Sequence, residues 1–324
     1  MSNEAVLHEE SRLVHFPVSF FSTVMGLTGL AIAWQKAHHV FGLPALVWHV
    51  AALAASAVFV ALFVIYGVKV LRHPQAVGGE WKHPIRVNFF PTISISLLLL
   101  SIVWREAVPS VAHVLWGTGA AIHLCFTLAI LSSWIHHTHY DIKHANPAWY
   151  IPVVGNLIVP ISGVHFAPTE LSWFFLSIGL VFWIVLQTIV VYRVIFHDPI
   201  PPKLMPTLFI LLAPPSVGFI AYGALVPEFD AFARVLYYTA LFLVLLLGSN
   251  VLRFLKSGFF LSAWAYSFPL AAMTMATFAM AHRSGIGFFN GLGMVLLGIL
   301  SLVVLVLVAK TLAAIRRGAI CVPE

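Results

Sequence analysis

The chain has 324 residues, 61% of them hydrophobic and only 9% charged, with a net charge of +6 and a mean hydropathy of +0.98. A soluble domain carries about a quarter of its residues as charges, so this composition excludes a soluble globular protein and leaves no room for a sizeable soluble domain. The basic balance reads as one-sided loops of a membrane protein rather than a nucleic-acid surface, because no basic patch interleaves with aromatics outside the apolar runs.

The opening stretch MSNEAVLHEESRLVHF carries three glutamates and no short apolar region with a small-residue cleavage site, so no signal peptide is expected. Ten apolar stretches follow, near 16–34, 45–70, 87–104, 110–135, 149–165, 169–195, 204–225, 231–254, 259–281 and 286–312. The fifth is marginal in length and is the one a hydropathy window would miss. This reading divides the chain into a short N-terminal segment (1–15), a ten-helix domain (16–314) and a short tail (315–324). Thirteen of the 17 Lys and Arg residues then fall on the side holding the N-terminus. The other side has Lys36, Arg105, Arg234 and Arg283. Both termini are therefore expected in the cytoplasm, with the chain in the cell's inner membrane.

The spans repeat in pairs. Each odd span has an early proline, at Pro17, Pro91, Pro152, Pro206 and Pro269, preceded by a hydrophobic or aromatic residue. Even spans end in basic or histidine clusters, so the unit is a helical hairpin repeated five times. Even spans are uniformly apolar, as in AALAASAVFVALFVIYGV; odd ones are interrupted by Ser, Thr, Gly, Asn and Pro. Close helix packing explains small residues in any one span, but not their alternation. The alternation predicts odd helices inside, even helices outside and a central channel. The positions expected to line it are Phe16, Ser19, Phe20, Thr23, Phe90, Ser94, Asn156, Pro160, Pro214, Ser216, Ser267 and Thr274.

No Asp or Glu falls deep in a span, so a pump's carboxylate coupling site is missing and passive conduction is favoured. No other coupling group is offered beyond histidines such as His113, His123 and His165. Without carboxylate rings a cation has little to attract it, whereas hydroxyls, restarted helix ends and basic mouths at Lys82, Arg86 and Lys203 suit small anions. The cluster WIHHTHYDIKH, with His136, His137, His139, Asp141 and His144, allows a mixed N/O metal site, but its spacing fits no defined one. His113 and His123 share one span, a poor arrangement for a bis-histidine haem. No cofactor or metal is expected. The chain has no nucleotide-binding loop, no nucleophile triad and no GxSxG, so nothing argues for an enzyme. The two cysteines, Cys125 and Cys321, imply no disulfide framework.

Four stretches in order, GGEWKHPIRVNFFP, NPAWYIPVVGN, LMPTLFILLAPPSVGFIAYG and WAYSFPLAAMTMATF, make the whole length resemble the tellurite-resistance/dicarboxylate transporter family. That family includes bacterial TehA-type channels and the slow anion channels of plant guard cells. The resemblance implies five hairpins in quasi-fivefold arrangement around a pore, a homotrimer in the bilayer, and small-anion substrates such as chloride and nitrate. It also implies a pore-occluding phenylalanine in the ninth helix, at Phe268. The alternative it leaves open is a proton-coupled or facilitative exporter of tellurite, sulfite or C4-dicarboxylates. The phosphorylated tails of the plant members have no counterpart in these short termini, so kinase gating is not expected to carry over.

Overall fold

In the computed structural model, residues 12–136, 140–256 and 258–322 are described, and among them the regular structure is entirely helical. Ten helical spans follow one another: α1 (Val18–Phe41), α2 (Ala45–Arg72), α3 (Arg86–Trp104), α4 (Pro109–His136), α5 (Pro147–Phe166), α6 (Thr169–Phe196), α7 (Met205–Leu225), α8 (Ala231–Gly248), α9 (Ser267–Ser284) and α10 (Phe288–Arg316). All but α9 are long and apolar enough to cross a membrane, and the protein is a multi-pass membrane protein. The fifth span therefore passes and the ninth falls short. His282, Arg283 and the hydroxyls of Ser267, Thr274 and Thr277 dilute α9's apolar character.

Consecutive spans pack as five hairpins, α1 on α2 through α9 on α10. Burial alternates as the composition does. At least half of the apolar stretch of α1, α3, α5 and α7 is buried, against at most a third of each even helix. In α9, 13 of 18 residues are buried. The even helices instead present large apolar side chains such as Leu53, Phe63, Ile184, Phe242 and Leu305 outward, as lipid-facing walls do. The odd helices touch in the order α1–α3–α5–α7–α9, and α9 returns to α1, so the contacts close a ring. The closing seam depends on glycine: a Cβ on Gly26 would stand 2.8 Å from Trp264 Cε3, and one on Gly29 would stand 2.9 Å from Ala271 Cβ. Small residues permit such backbone approach in membranes.

Every odd span begins with a 3₁₀ segment; the even spans are α-helical throughout. The segments are Val18–Phe20, Arg86–Phe89, Pro147–Trp149 with Gly155–Ile158, Met205–Leu212 and, ahead of α9, Leu261–Tyr266. Proline explains where regular α-helix starts, because it lacks an N–H and is tolerated only in a first turn. Pro160, Pro214 and Pro269 lie in the first turn of the α-helical part, and Pro91 directly precedes it. Pro17 stands just ahead of α1, Pro152 lies in the short α-helical turn Tyr150–Val154, and Pro206 stands at the start of its 3₁₀ segment.

Some boundaries differ from those expected. Helix α1 runs to Phe41, not 34, until Gly42 at φ 68° caps it in the left-handed region. Helix α8 stops at Gly248, and the remaining predicted residues form a separate short helix, Val251–Leu255. A short helix at Pro74–Lys82, absent from the hydropathy reading, lies between α2 and α3.

Candidate functional site

On the side where the odd helices begin, a cavity of about 1250 Å³ opens. Its floor is set by four side chains, Met25 of α1, Ile151 of α5, Ile210 of α7 and Phe268 of α9. The same four also line a second space of about 40 Å³, whose other walls include Ile95, Val154, Ile158, Pro214 and Val217. One water occupies roughly 30 Å³ of liquid, so the second space is little more than water-sized. The four shared residues form a constriction between vestibule and inner space.

Phe268 is the largest of the four and is 8% exposed. The 3₁₀-to-α junction beside Pro269 sets its place, on the second residue of α9. Across from it, a Cβ on Gly29 would lie 3.6 Å from ring carbon Cδ2, so α1 passes the ring without a side chain between them.

Of the positions expected to line a channel, Ser19 borders the vestibule and Pro214 the inner space. Phe16 and Phe20 stack on each other, with centroids 4.7 Å apart. Thr23 and Pro160 are buried. Phe90 sits among the rings of Tyr66, Trp81 and Phe126. The hydroxyls of Ser216, Ser267 and Thr274 bond to carbonyls of their own chain one turn earlier, at Leu212, Trp264 and Leu270. Ser94 Oγ donates to Pro91 O and pairs with His123 Nδ1 at 2.9 Å. Asn156 Nδ2 donates to Thr127 Oγ1 and Val153 O. These groups satisfy helix breaks and tie helices together, while the constriction itself is aliphatic and aromatic. Such a wall excludes water when narrow and binds no ion tightly when wide. Residue patterns had not singled out Met25, Ile151 and Ile210. The clue was partial: Ile151 precedes Pro152 as Phe268 precedes Pro269.

Charge is concentrated at the mouth. Among the described residues the vestibule lining holds Arg86, Lys203, Lys310 and Arg317, with Glu80 its one carboxylate. Glu80 is neutralised by a buried pair: its Oε1 lies 3.2 Å from Lys69 Nζ, and its Oε2 accepts from Tyr66 Oη at 2.7 Å. Lys69 also donates to Phe16 O at 2.8 Å. Lys69, expected to mark the cytoplasmic side, is thus a buried strut joining α2, the Pro74–Lys82 helix and the start of α1.

The histidine-rich stretch after α4 reaches partly beyond the described residues, since His137 and His139 lie outside them. His136 is exposed, and His144 Nδ1 accepts from the Asp141 N–H at 3.1 Å. The Lys143 ammonium beside Asp141 holds that carboxyl below its usual range. Among the described residues no three His, Cys, Asp or Glu side chains converge as a metal site would require. Within the membrane, His113 stacks on Phe166 and His123 faces Ser94.

A family profile described as voltage-dependent anion channel, SLAC1, matches residues 15–312. The chain belongs to this family. It is 29% identical over 311 residues to the S-type anion channel SLAH3 of Arabidopsis thaliana, covering 93% of this chain and 48% of that protein. It is 26% identical over 280 residues to the guard cell S-type anion channel SLAC1 of the same plant, covering 83% and 50%. With the tellurite resistance protein TehA homolog of Haemophilus influenzae it shares 26% over 275 residues, 82% and 81% of the two chains. The chain spans about half the length of these plant relatives.

Proposed function

We propose that the protein is a gated channel for small anions such as chloride and nitrate, with the path running through the ring of odd helices and closed by Phe268. The observation that carries this is the four-residue constriction, with Phe268 its largest member, between a basic vestibule and an apolar inner space. Cations at the mouth raise the local concentration of anions, and an aliphatic neck offers them no strong binding site, as fast passage requires. The relatives' names as anion channels support the same reading.

The test is electrical. In planar bilayers or oocytes, Phe268→Ala should carry chloride and nitrate currents an order of magnitude above the parent. Equal currents from well-expressed, folded parent and variant would remove Phe268 as the gate.

A second reading is a proton-coupled or facilitative exporter of tellurite, sulfite or C4-dicarboxylates. One observation favours coupling: His123 is fully buried within α4, and its Nε2 has no hydrogen-bond partner. Reversal potentials measured in a proton gradient separate the two readings. A channel's potential follows the anion gradient alone, and a coupled carrier's shifts with pH.

The further elements of the proposal are quasi-fivefold symmetry of the five hairpins, a ten-helix domain over 16–314, cytoplasmic termini in an inner or plasma membrane, and a homotrimer with one path per protomer. The closed order of odd-helix contacts supports the first, and the one-sided basic residues support the orientation. Light scattering of the detergent-solubilised protein tests the trimer: a monomeric or dimeric mass overturns it.

A further inference from the structure

Gly155 and Ile95 both line the inner space beyond the constriction, and the imidazole of His123 stands directly behind them. A Cβ on Gly155 would lie 2.6 Å from His123 Cε1, 2.7 Å from its Nε2 and 2.8 Å from Ile95 Cδ1. The glycine therefore lets one edge of the ring pack against the α5 backbone at the wall. His123 is fully buried, and its Nε2 has no hydrogen-bond partner among the described residues. The other ring nitrogen decides what Nε2 is. Ser94 Oγ gives its single proton to Pro91 O at 2.8 Å, so it meets His123 Nδ1, 2.9 Å away, as an acceptor. Nδ1 thus carries the hydrogen, and in the neutral ring Nε2 is a bare lone pair.

Helix α4 packs on α3 and α5, which face the ring with Ser94, Ile95 and Gly155. Thr127, one turn further along α4, donates to backbone carbonyls. The titratable and charged groups of these three helices lie elsewhere. Arg86 opens α3 and Arg105 follows it, His113 and His136 lie near the two ends of α4, and His165 lies near the end of α5. Tyr150 of α5 donates its hydroxyl to Gln187 Oε1. Protonation of Nε2 alone would leave an uncompensated charge in the membrane interior, a costly state. An anion in the inner space supplies the counter-charge, since an opposite charge within about 4–6 Å stabilises an ionised group.

We propose that the inner space is a binding site for one small anion with His123 as its counter-charge, so that anion and proton are taken up together. The site rests on the reading of the helix ring as an anion path; the proton linkage holds whether that path is a channel or a carrier. A space of about 40 Å³ restricts the occupant to chloride-sized anions. Linkage is reciprocal: each partner raises the affinity for the other, so anion occupancy increases as pH falls.

The test uses the purified full-length protein and its Phe268→Ala variant in detergent, in mildly acidic, unbuffered solution. Potassium chloride should drive saturable proton uptake approaching one proton per protomer, read as a rise in pH. Potassium gluconate at the same ionic strength, with an anion too large for the space, should drive none. Apparent chloride affinity should tighten by up to about tenfold per pH unit of acidification, the limit for one linked proton. His123→Gln should abolish the uptake. Histidine-selective ¹⁵N spectra give a readout that needs no change at His123: one bare Nε2 resonance should become protonated as chloride is added. Absence of chloride-driven uptake in both folded proteins overturns the site, as do equal uptake with gluconate, unchanged uptake in a folded His123→Gln protein, or a bare Nε2 that chloride leaves unprotonated. The channel reading fails separately. Proton uptake by a Phe268→Ala protein that carries no current would leave the site standing and the channel lost, whereas current without uptake would do the reverse.

Discussion

At the scale of single residues, Phe268 and the Lys69–Glu80 pair carry the sharpest expectations. If bulk at position 268 closes the neck, current should rise in order through Phe268→Leu, Phe268→Val and Phe268→Ala, because the other three neck residues are aliphatic and present no second ring. A current that jumps equally for all three would point to ring-specific packing instead of size. The ion pair makes a different prediction. Its side chains are 1% and 5% exposed, so removing one partner strands a charge and should cost about 3–5 kcal/mol. Glu80→Leu alone should therefore lower unfolding stability in detergent more than Lys69→Met/Glu80→Leu does. Equal losses would show that the pair is not coupled. The sequence marked Phe268 through its resemblance and its proline neighbour. It gave no hint of the pair, since a lysine closing an apolar run and a glutamate in a polar loop look the same whether they meet or face water.

At the scale of elements, the apolar runs and the alternation of polar and apolar spans were legible because a bilayer demands both length and a lipid-facing surface. The hydroxyls illustrate what was not. Residues such as Ser216 and Thr274 were expected to face a channel, yet each bonds to a carbonyl of its own helix. Composition reveals that a span is polar without revealing which way its polar groups turn. Helix ends were displaced for a similar reason: Gly42 and Gly248 end helices inside or beyond windows that average over such residues. The start of α8 offers a test of an element terminus by pH. Asp230 caps it, accepting from the Ala233 N–H at 2.8 Å and from the Tyr222 hydroxyl, and these bonds hold its carboxyl below the usual range. A lowered folded-state value means that the cap stabilises the helix above the ordinary carboxylate range. The stabilisation is lost as pH falls through the lowered value. Hydrogen exchange at the first turn of α8 should therefore accelerate in acid, and Asp230→Asn should remove that acceleration. Identical acid profiles for parent and variant would show that the carboxylate does not govern this turn.

At the scale of the whole molecule, the ring of inner helices has a consequence for how the protein is made. Helix α9 joins α7 back to α1, yet it is the one span of the ten that falls short of the apolarity needed to cross a membrane on its own. Insertion machinery reads segments largely by apolarity, and charged or polar residues oppose partition into lipid. The protein therefore predicts an order of biosynthesis in which α9 stays outside the bilayer until the strongly apolar α10 emerges and the two enter together. A nascent chain stopped after Gly285 should leave α9 accessible to protease or to a glycosylation tag, and extension through residue 316 should protect it. Protection of the shorter chain would refute the order. On this account the passage does not exist while the first eight helices are synthesised, and comes into being only when the last hairpin arrives.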